Sequence, residues 1–201
     1  MPYGDRARRL SILEEGGTNV RQVWIEVQLQ KITSLAKRNR CAEALSAAEH
    51  LSIEIPDLTF THDGLDPFAR TARARYVIGS ALASCAKPEE AARTFHLAAS
   101  ASAPDDVFWA WQAAKRLPGL DAKQWDERLR SALAEADRRT TTSSFAGWWY
   151  YTAGVLNAAL GNRNEAEMKF QKALLFPDRM LSYHCTRLIR AEFSQYQESG
   201  K

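Results

Sequence analysis

The sequence predicts an all-α protein built from antiparallel helix pairs. Three observations predict it. Strand-like alternation bounded by hairpin turns is absent. Apolar positions, many of them alanine, recur instead at helical spacing and are interrupted by polar or Pro/Gly punctuation. Most of the interruptions are short, which makes successive helices antiparallel neighbours.

The periodicity places helices over residues 5–15, 19–37, 41–54, 67–85, 88–101, 105–116, 122–138, 144–160, 163–175 and 179–196. Gly16-Gly17 stops the first; no phosphate-loop pattern follows those glycines. Pro118-Gly119 cuts the stretch containing Val107-Phe108-Trp109-Ala110-Trp111. The next helix carries Trp125, Leu129, Leu133 and Ala136 on an apolar stripe. The stretch over 144–160 ends at Gly161-Asn162-Arg163-Asn164, and Pro177 stops the one after it. The one long interruption runs from Pro56 to Pro67; it is either a functional loop or a connector that packs Leu58 and Phe60 onto the body.

Composition sets bounds on function. A chain of 201 residues holds one domain or two small ones and can bury a core without metals or disulfides. With 45% apolar and 25% charged residues it is ordinary globular protein. The net charge of +3, from 27 basic and 24 acidic residues, lacks the basic excess of a dedicated nucleic-acid binder. No apolar run follows the basic N-terminal residues, as a secretory signal requires, and none approaches the ~18 residues of a spanning helix. Cys41, Cys85 and Cys185 are far apart with no CxxC or Cys/His metal spacing. They read as small buried apolar residues in a reducing compartment, so a cytoplasmic location without membrane contact is expected.

Helices in pairs invite a search for internal repeats. Tyr150, Gly154, Gly161, Ala166, Phe170, Ala173 and Pro177 form one unit. Gly79, Ala91, Phe95, Ala98 and Pro104 form a second, with the same twelve-residue interval from glycine to alanine. Small residues stand where two helices must approach, and large ones where the pair needs filling. This spacing resembles the tetratricopeptide repeat. A degenerate copy lies upstream, where Glu43-Ala44-Leu45, Leu51 and Pro56 are in register but Ile32 replaces the glycine and Ala48 the large residue. A fourth unit is inferred between the clear copies. The resemblance divides the chain into an N-terminal capping helix (1–21), a repeat array (22–178) and a C-terminal capping helix and tail (179–201). That last helix would cover the final repeat and show Arg187, Arg190 and Glu192 to water.

The resemblance implies a right-handed superhelix of helix pairs and a non-catalytic role without cofactor or metal: an adaptor, scaffold or regulatory subunit that holds another protein in a concave groove. The positions matching that groove are Trp148, Tyr151, Thr152, Val155 and Ala159 in the last copy and Arg73, Tyr76, Val77, Ser80 and Ser84 in the second. In the first they are Glu26, Leu29, Gln30, Thr33 and Lys37. Trp148, Tyr151, Thr152, Val155, Arg73, Tyr76 and Ser80 are the partner-binding candidates. The Lys/Asn/Arg set with which co-chaperone members grip acidic tails is missing, so a peptide or helix with apolar anchors is the expected partner.

Other features carry weaker alternatives. Trp148 and Trp149 are adjacent on a helix, so if Trp149 packs inward Trp148 points about 100° away, toward groove or solvent. His184 next to Cys185 suggests a nucleophile and base, but adjacent helical side chains diverge. His62-Asp63 in the long loop would need further metal ligands from elsewhere. Carboxylate pairs such as Glu14-Glu15 and Glu89-Glu90 lack a defined acid/base partner. Arg70 and Arg73 are three apart on one face and could together receive a carboxylate or phosphate; Arg75 and Arg6, Arg8 and Arg9 complete the basic clusters. An enzyme or enzyme accessory with an unmotifed site, and an anion or nucleic-acid binder using the arginine face, are therefore the competing classes.

Overall fold

A computed structural model of the chain describes residues 20–58, 61, 62, 64–176, 182 and 184–190. Among the described residues all regular structure is helical: α1 (Val20–Lys37), α2 (Cys41–Glu49), the single turn α3 (Asp66–Ala69), α4 (Ala72–Ser84), α5 (Pro88–Ala99), α6 (Val107–Ala114), α7 (Ala122–Thr142), α8 (Ala146–Ala159) and α9 (Arg163–Ala173). Residues 184–190 are also helical. The helix expected over 5–15, and with it the N-terminal cap, lies outside the described residues, as does most of the expected C-terminal cap.

Three boundaries differ from expectation, each for a local reason. The helix expected over 41–54 stops at Glu49. Beyond it, Leu51 and Ile53 turn back through N–H bonds to Ala48 and His50, while the β-branched Ile55 precedes Pro56, which disfavours a helical conformation. The stretch over 67–85 is broken at Thr71, whose backbone is extended (φ −62°, ψ 158°) and whose hydroxyl accepts from Ala74 N–H. Thr71 is thus the N-cap of α4, and the cap defeats the helix propensity on either side. In contrast α7 runs on to Thr142: the hydroxyls of Thr140, Thr141 and Thr142 donate to carbonyls three or four residues back, which keeps this β-branched run helical.

Three helix pairs close through one type of turn. The N–H groups of Arg40, Lys87 and Asn162 donate to the carbonyls of Leu35, Leu82 and Asn157, five residues back in each case. The residue before each donor is left-handed: Asn39 (φ 57°), Ala86 (φ 58°) and Gly161 (φ 81°). This is the bond that satisfies the last carbonyls of a helix while reversing the chain. Only glycine adopts the conformation without strain, so Ala86 gives no sequence signal for the turn it makes.

The chain divides into two compact units. Of the described residues, the first contains those from Val20 to Ser102 with Trp109–Leu120, and the division falls within α6. Its core joins Ile25, Leu29, Ile32 and Ala36 of α1 to Ala44, Leu51, Leu65, Ala74 and Ala81. A second cluster gathers Leu82, Ala91, Phe95, Ala98 and Ala113. Gly79 on α4 faces Phe95 on α5 so closely that a Cβ on the glycine would stand 2.7 Å from the ring.

Of the described residues, the second unit contains Ala103–Phe108 and those from Asp121 onward. Here α8 packs between α7 and α9. Nine of its fourteen residues are buried, so it is a core helix rather than an amphipathic one. Gly154 meets Phe170 of α9 as Gly79 meets Phe95, at still closer range.

One sequence expectation is overturned. Cys41 and Cys85 form a disulfide, with Cα atoms 5.5 Å apart, and both are half-buried rather than core residues. Packing α2 against α4 brings the start of one helix to the end of the other, which a separation of 44 residues could not reveal. Cys185 alone matches the expected buried thiol. The pairing withdraws the support that unpaired thiols lent to a reducing compartment. No helix among the described residues is long and apolar enough to cross a membrane.

Candidate partner-binding surface

In the second unit the four candidate residues part company. Tyr151, Thr152 and Val155 are 2%, 1% and 1% exposed, so their side chains belong to the interior. Trp148 is half-buried. Its indole Nε1–H donates to Asp105 Oδ2 at 3.2 Å, and its ring lies 5.1 Å from that of Tyr151. Asp105 stands 43 residues away in sequence, so nothing local announces it as the holder of Trp148. Trp149 points the other way, buried beneath the Arg139 guanidinium 4.5 Å from its ring. The divergence expected of adjacent helical residues is therefore what separates a surface tryptophan from a core one.

In the first unit, Arg73, Tyr76 and Ser80 share one face of α4 and are all half-buried. Arg73 makes a bidentate ion pair with Glu26 of α1, Nε to Oε2 at 2.8 Å and Nη2 to Oε1 at 2.5 Å, with only 15% and 11% of the two side chains exposed. Gln30 donates a further bond to Glu26 at 2.8 Å. The Arg73 guanidinium also stacks 4.5 Å from the Trp109 ring centre, and Tyr76 sits 5.5 Å from the same ring. The result is a carboxylate–guanidinium–indole–phenol series held within one unit. Ser80 Oγ is buried with no hydrogen-bond partner among the described residues.

The arginine face is largely answered from within the chain. Arg70 pairs with Asp66 at 2.5 Å and Arg73 with Glu26, while Arg75 donates to the Leu97 carbonyl at 3.0 Å. Elsewhere the two signs are also interleaved. Hydrogen bonds from Arg138 and Arg139 hold the Glu135 carboxyl down at about 2. Arg40 lowers Glu43 in the same way, and burial pulls Arg128 below the usual guanidinium range where it lies 4.0 Å from the Trp125 ring.

Among the described residues the chemical candidates of the sequence are not drawn together. His184 is exposed while Cys185 is buried. His62 is exposed, and Asp63 and Phe60 lie outside the described residues. Thr61 instead anchors the long loop: its hydroxyl is fully buried, accepts from Ile55 N–H at 2.9 Å and donates to the Leu58 carbonyl at 2.7 Å. Among the described residues no three His, Cys, Asp or Glu side chains are grouped to hold a metal.

The sequence offered no sign of a cavity of about 580 Å³ between α1 and α2, lined by Trp24, Lys31, Leu35, Glu43, His50 and Ile53 among others. Its walls come from opposite faces of two helices and the turns beyond α2, so only the folded pair defines it. Comparison of the chain with protein-family models, with curated proteins and with solved structures finds no match.

Proposed function

We propose that this chain is a non-catalytic protein-binding module of tetratricopeptide-like helix pairs, acting as an adaptor, scaffold or regulatory subunit. The observation that carries this reading is Trp148. A large apolar ring at a surface, oriented by a hydrogen bond from its own N–H and by contact with Tyr151, loses little further freedom when a partner covers it. The buried Tyr151 ring lies against that of Trp148, and the Thr152 hydroxyl donates to the Trp148 carbonyl. On the first unit, taken by itself, Tyr76 beside the Trp109 ring is the further aromatic candidate, while Arg73 is held by Glu26 and Ser80 Oγ is buried. The partner is a protein segment with apolar anchors, and the Glu26–Arg73 pairing argues for recognition by shape and apolar contact over anion capture.

The test is reconstitution. Proteins recovered by affinity purification are expressed and purified, and the direct affinity of each for the full chain is measured. Trp148→Ala is expected to weaken binding at least tenfold while the protein stays folded and melts well above the temperature of the binding measurement. Unchanged affinity in a correctly folded Trp148→Ala protein would remove Trp148 from the interface and with it the main support for the reading.

A further inference from the structure

The three helix pairs that share one turn are not locked alike. In the pairs α4–α5 and α8–α9 a phenylalanine sixteen residues after a glycine fills the space that the missing side chain leaves, Phe95 against Gly79 and Phe170 against Gly154. In the pair α1–α2 the corresponding positions are Ile32 and Ala48. Neither of those two positions carries a ring. The difference shows in burial: α5 buries Ala91, Phe95 and Ala98, and α9 buries Ala166, Phe170 and Ala173, but α2 buries Ala44 alone. A nine-residue helix without a side-chain N-cap bond is marginal by itself, and α2 has few buried contacts to hold it.

The disulfide falls on this weak pair. Cys41 is the first residue of α2, and Cys85 is the residue that ends α4. The bond closes a span of 44 residues and so restricts the unfolded chain strongly. Both cysteines are half-buried, which leaves the bond within reach of a small thiol. Ala42 and Glu43, next along α2, line the cavity between α1 and α2.

We propose that the Cys41–Cys85 disulfide is a redox-dependent lock that stands in for the missing aromatic contact, and that its reduction releases α2 and opens the α1–α2 cavity. The reductant is a dithiol. One of its thiolates attacks Cys85 Sγ; the sulfur–sulfur bond breaks and its electron pair leaves on Cys41 Sγ. A thiolate is the better leaving group at the start of a helix, where the backbone dipole favours negative charge. The second thiol of the reductant then attacks the mixed disulfide, frees Cys85 as a thiolate and closes the reductant into its own disulfide. Two protons pass from the dithiol to the two protein sulfurs, and two electrons reduce them.

Hydrogen exchange read by mass spectrometry on the full chain, with and without dithiothreitol, tests this. Peptides covering α2 and residues 50–58 are expected to exchange at least tenfold faster after reduction, while α5 and α9 keep their rates. The melting temperature should fall on the order of 10 °C. Cys85→Ser should reproduce both effects without reductant, and Cys185→Ser should leave the exchange of α2 unchanged. The proposal is overturned if α2 exchanges equally in both states, or if reduction speeds exchange evenly through the chain. Peptide mapping of the oxidised protein that finds no Cys41–Cys85 linkage overturns it as well.

Discussion

Phe95 lies against the bare backbone of Gly79, 2.7 Å from where a Cβ would stand, and Phe170 meets Gly154 in the same way at still closer range. Each ring is buried, 4% exposed for Phe95 and 3% for Phe170, so neither can swing into solvent. Glycine is therefore required by contact and not by backbone conformation. Gly154→Ala gains about 1 kcal/mol of helix propensity but forces an overpacked core, and is expected to lower stability by about 1–3 kcal/mol in denaturant titration. A variant as stable as the parent would show that the ring can move aside.

Ala86 makes the opposite case. It is exposed and left-handed, at φ 58°, at the position where the third pair has Gly161. Ala86→Gly should stabilise the protein by about 0.5–1 kcal/mol, because relief of the steric strain exceeds the entropy that glycine adds to the unfolded chain. Thermal melting of the variant with its disulfide intact reads the difference.

Glu26 and Arg73 are mostly removed from water, unlike Arg40 and Glu43, whose side chains are 50% and 56% exposed. Removing Glu26 leaves a desolvated guanidinium without its carboxylate. Glu26→Ala is expected to cost about 2–4 kcal/mol, and Glu43→Ala much less, because water and salt screen the exposed pair. Equal losses in the two variants would mean that the inner pair is solvated in solution.

The adjacent tryptophans should separate on truncation. Trp149→Ala empties a core site and is expected to cost about 3–5 kcal/mol. Trp148→Ala removes one hydrogen bond and a half-exposed ring, and should cost under about half of that. Paired denaturant titrations of the two variants decide the matter.

Glu135 provides a pH test. Its carboxyl is held at about 2 in the folded chain, below the 4.5 of an unperturbed glutamate. The folded state thus binds this proton less readily than the unfolded one. The contribution of Glu135 to stability is complete above about pH 4.5 and is lost as pH falls toward 2. A carboxyl-detected NMR titration should find the low midpoint, and Arg138→Gln should move it upward.

Much of the architecture was legible because helix pairing is written locally. The stripe through Trp125 and Leu129, the glycine–phenylalanine spacing and Gly161 each act within a few turns of chain, so all-helical structure and the paired units could be read before folding. The break at Thr71 is not legible, because a cap looks like any polar residue inside a good helix. The divergence of Trp148 from Trp149 was legible, since it follows from helical geometry alone. The burial of Tyr151, Thr152 and Val155 was not: a helix face is inner or outer only by virtue of what packs on it.

The helical class, the pairing of helices and the small-against-large contacts at Gly79 and Gly154 follow from the sequence, because they depend on periods of a few residues and on steric size. Tertiary structure alone decided that Cys41 meets Cys85, that Glu26 meets Arg73 and that Asp105 holds Trp148. Those partners lie 44, 47 and 43 residues apart. No local propensity encodes such distances; they are set by how helices stack, and stacking is a property of the whole buried surface.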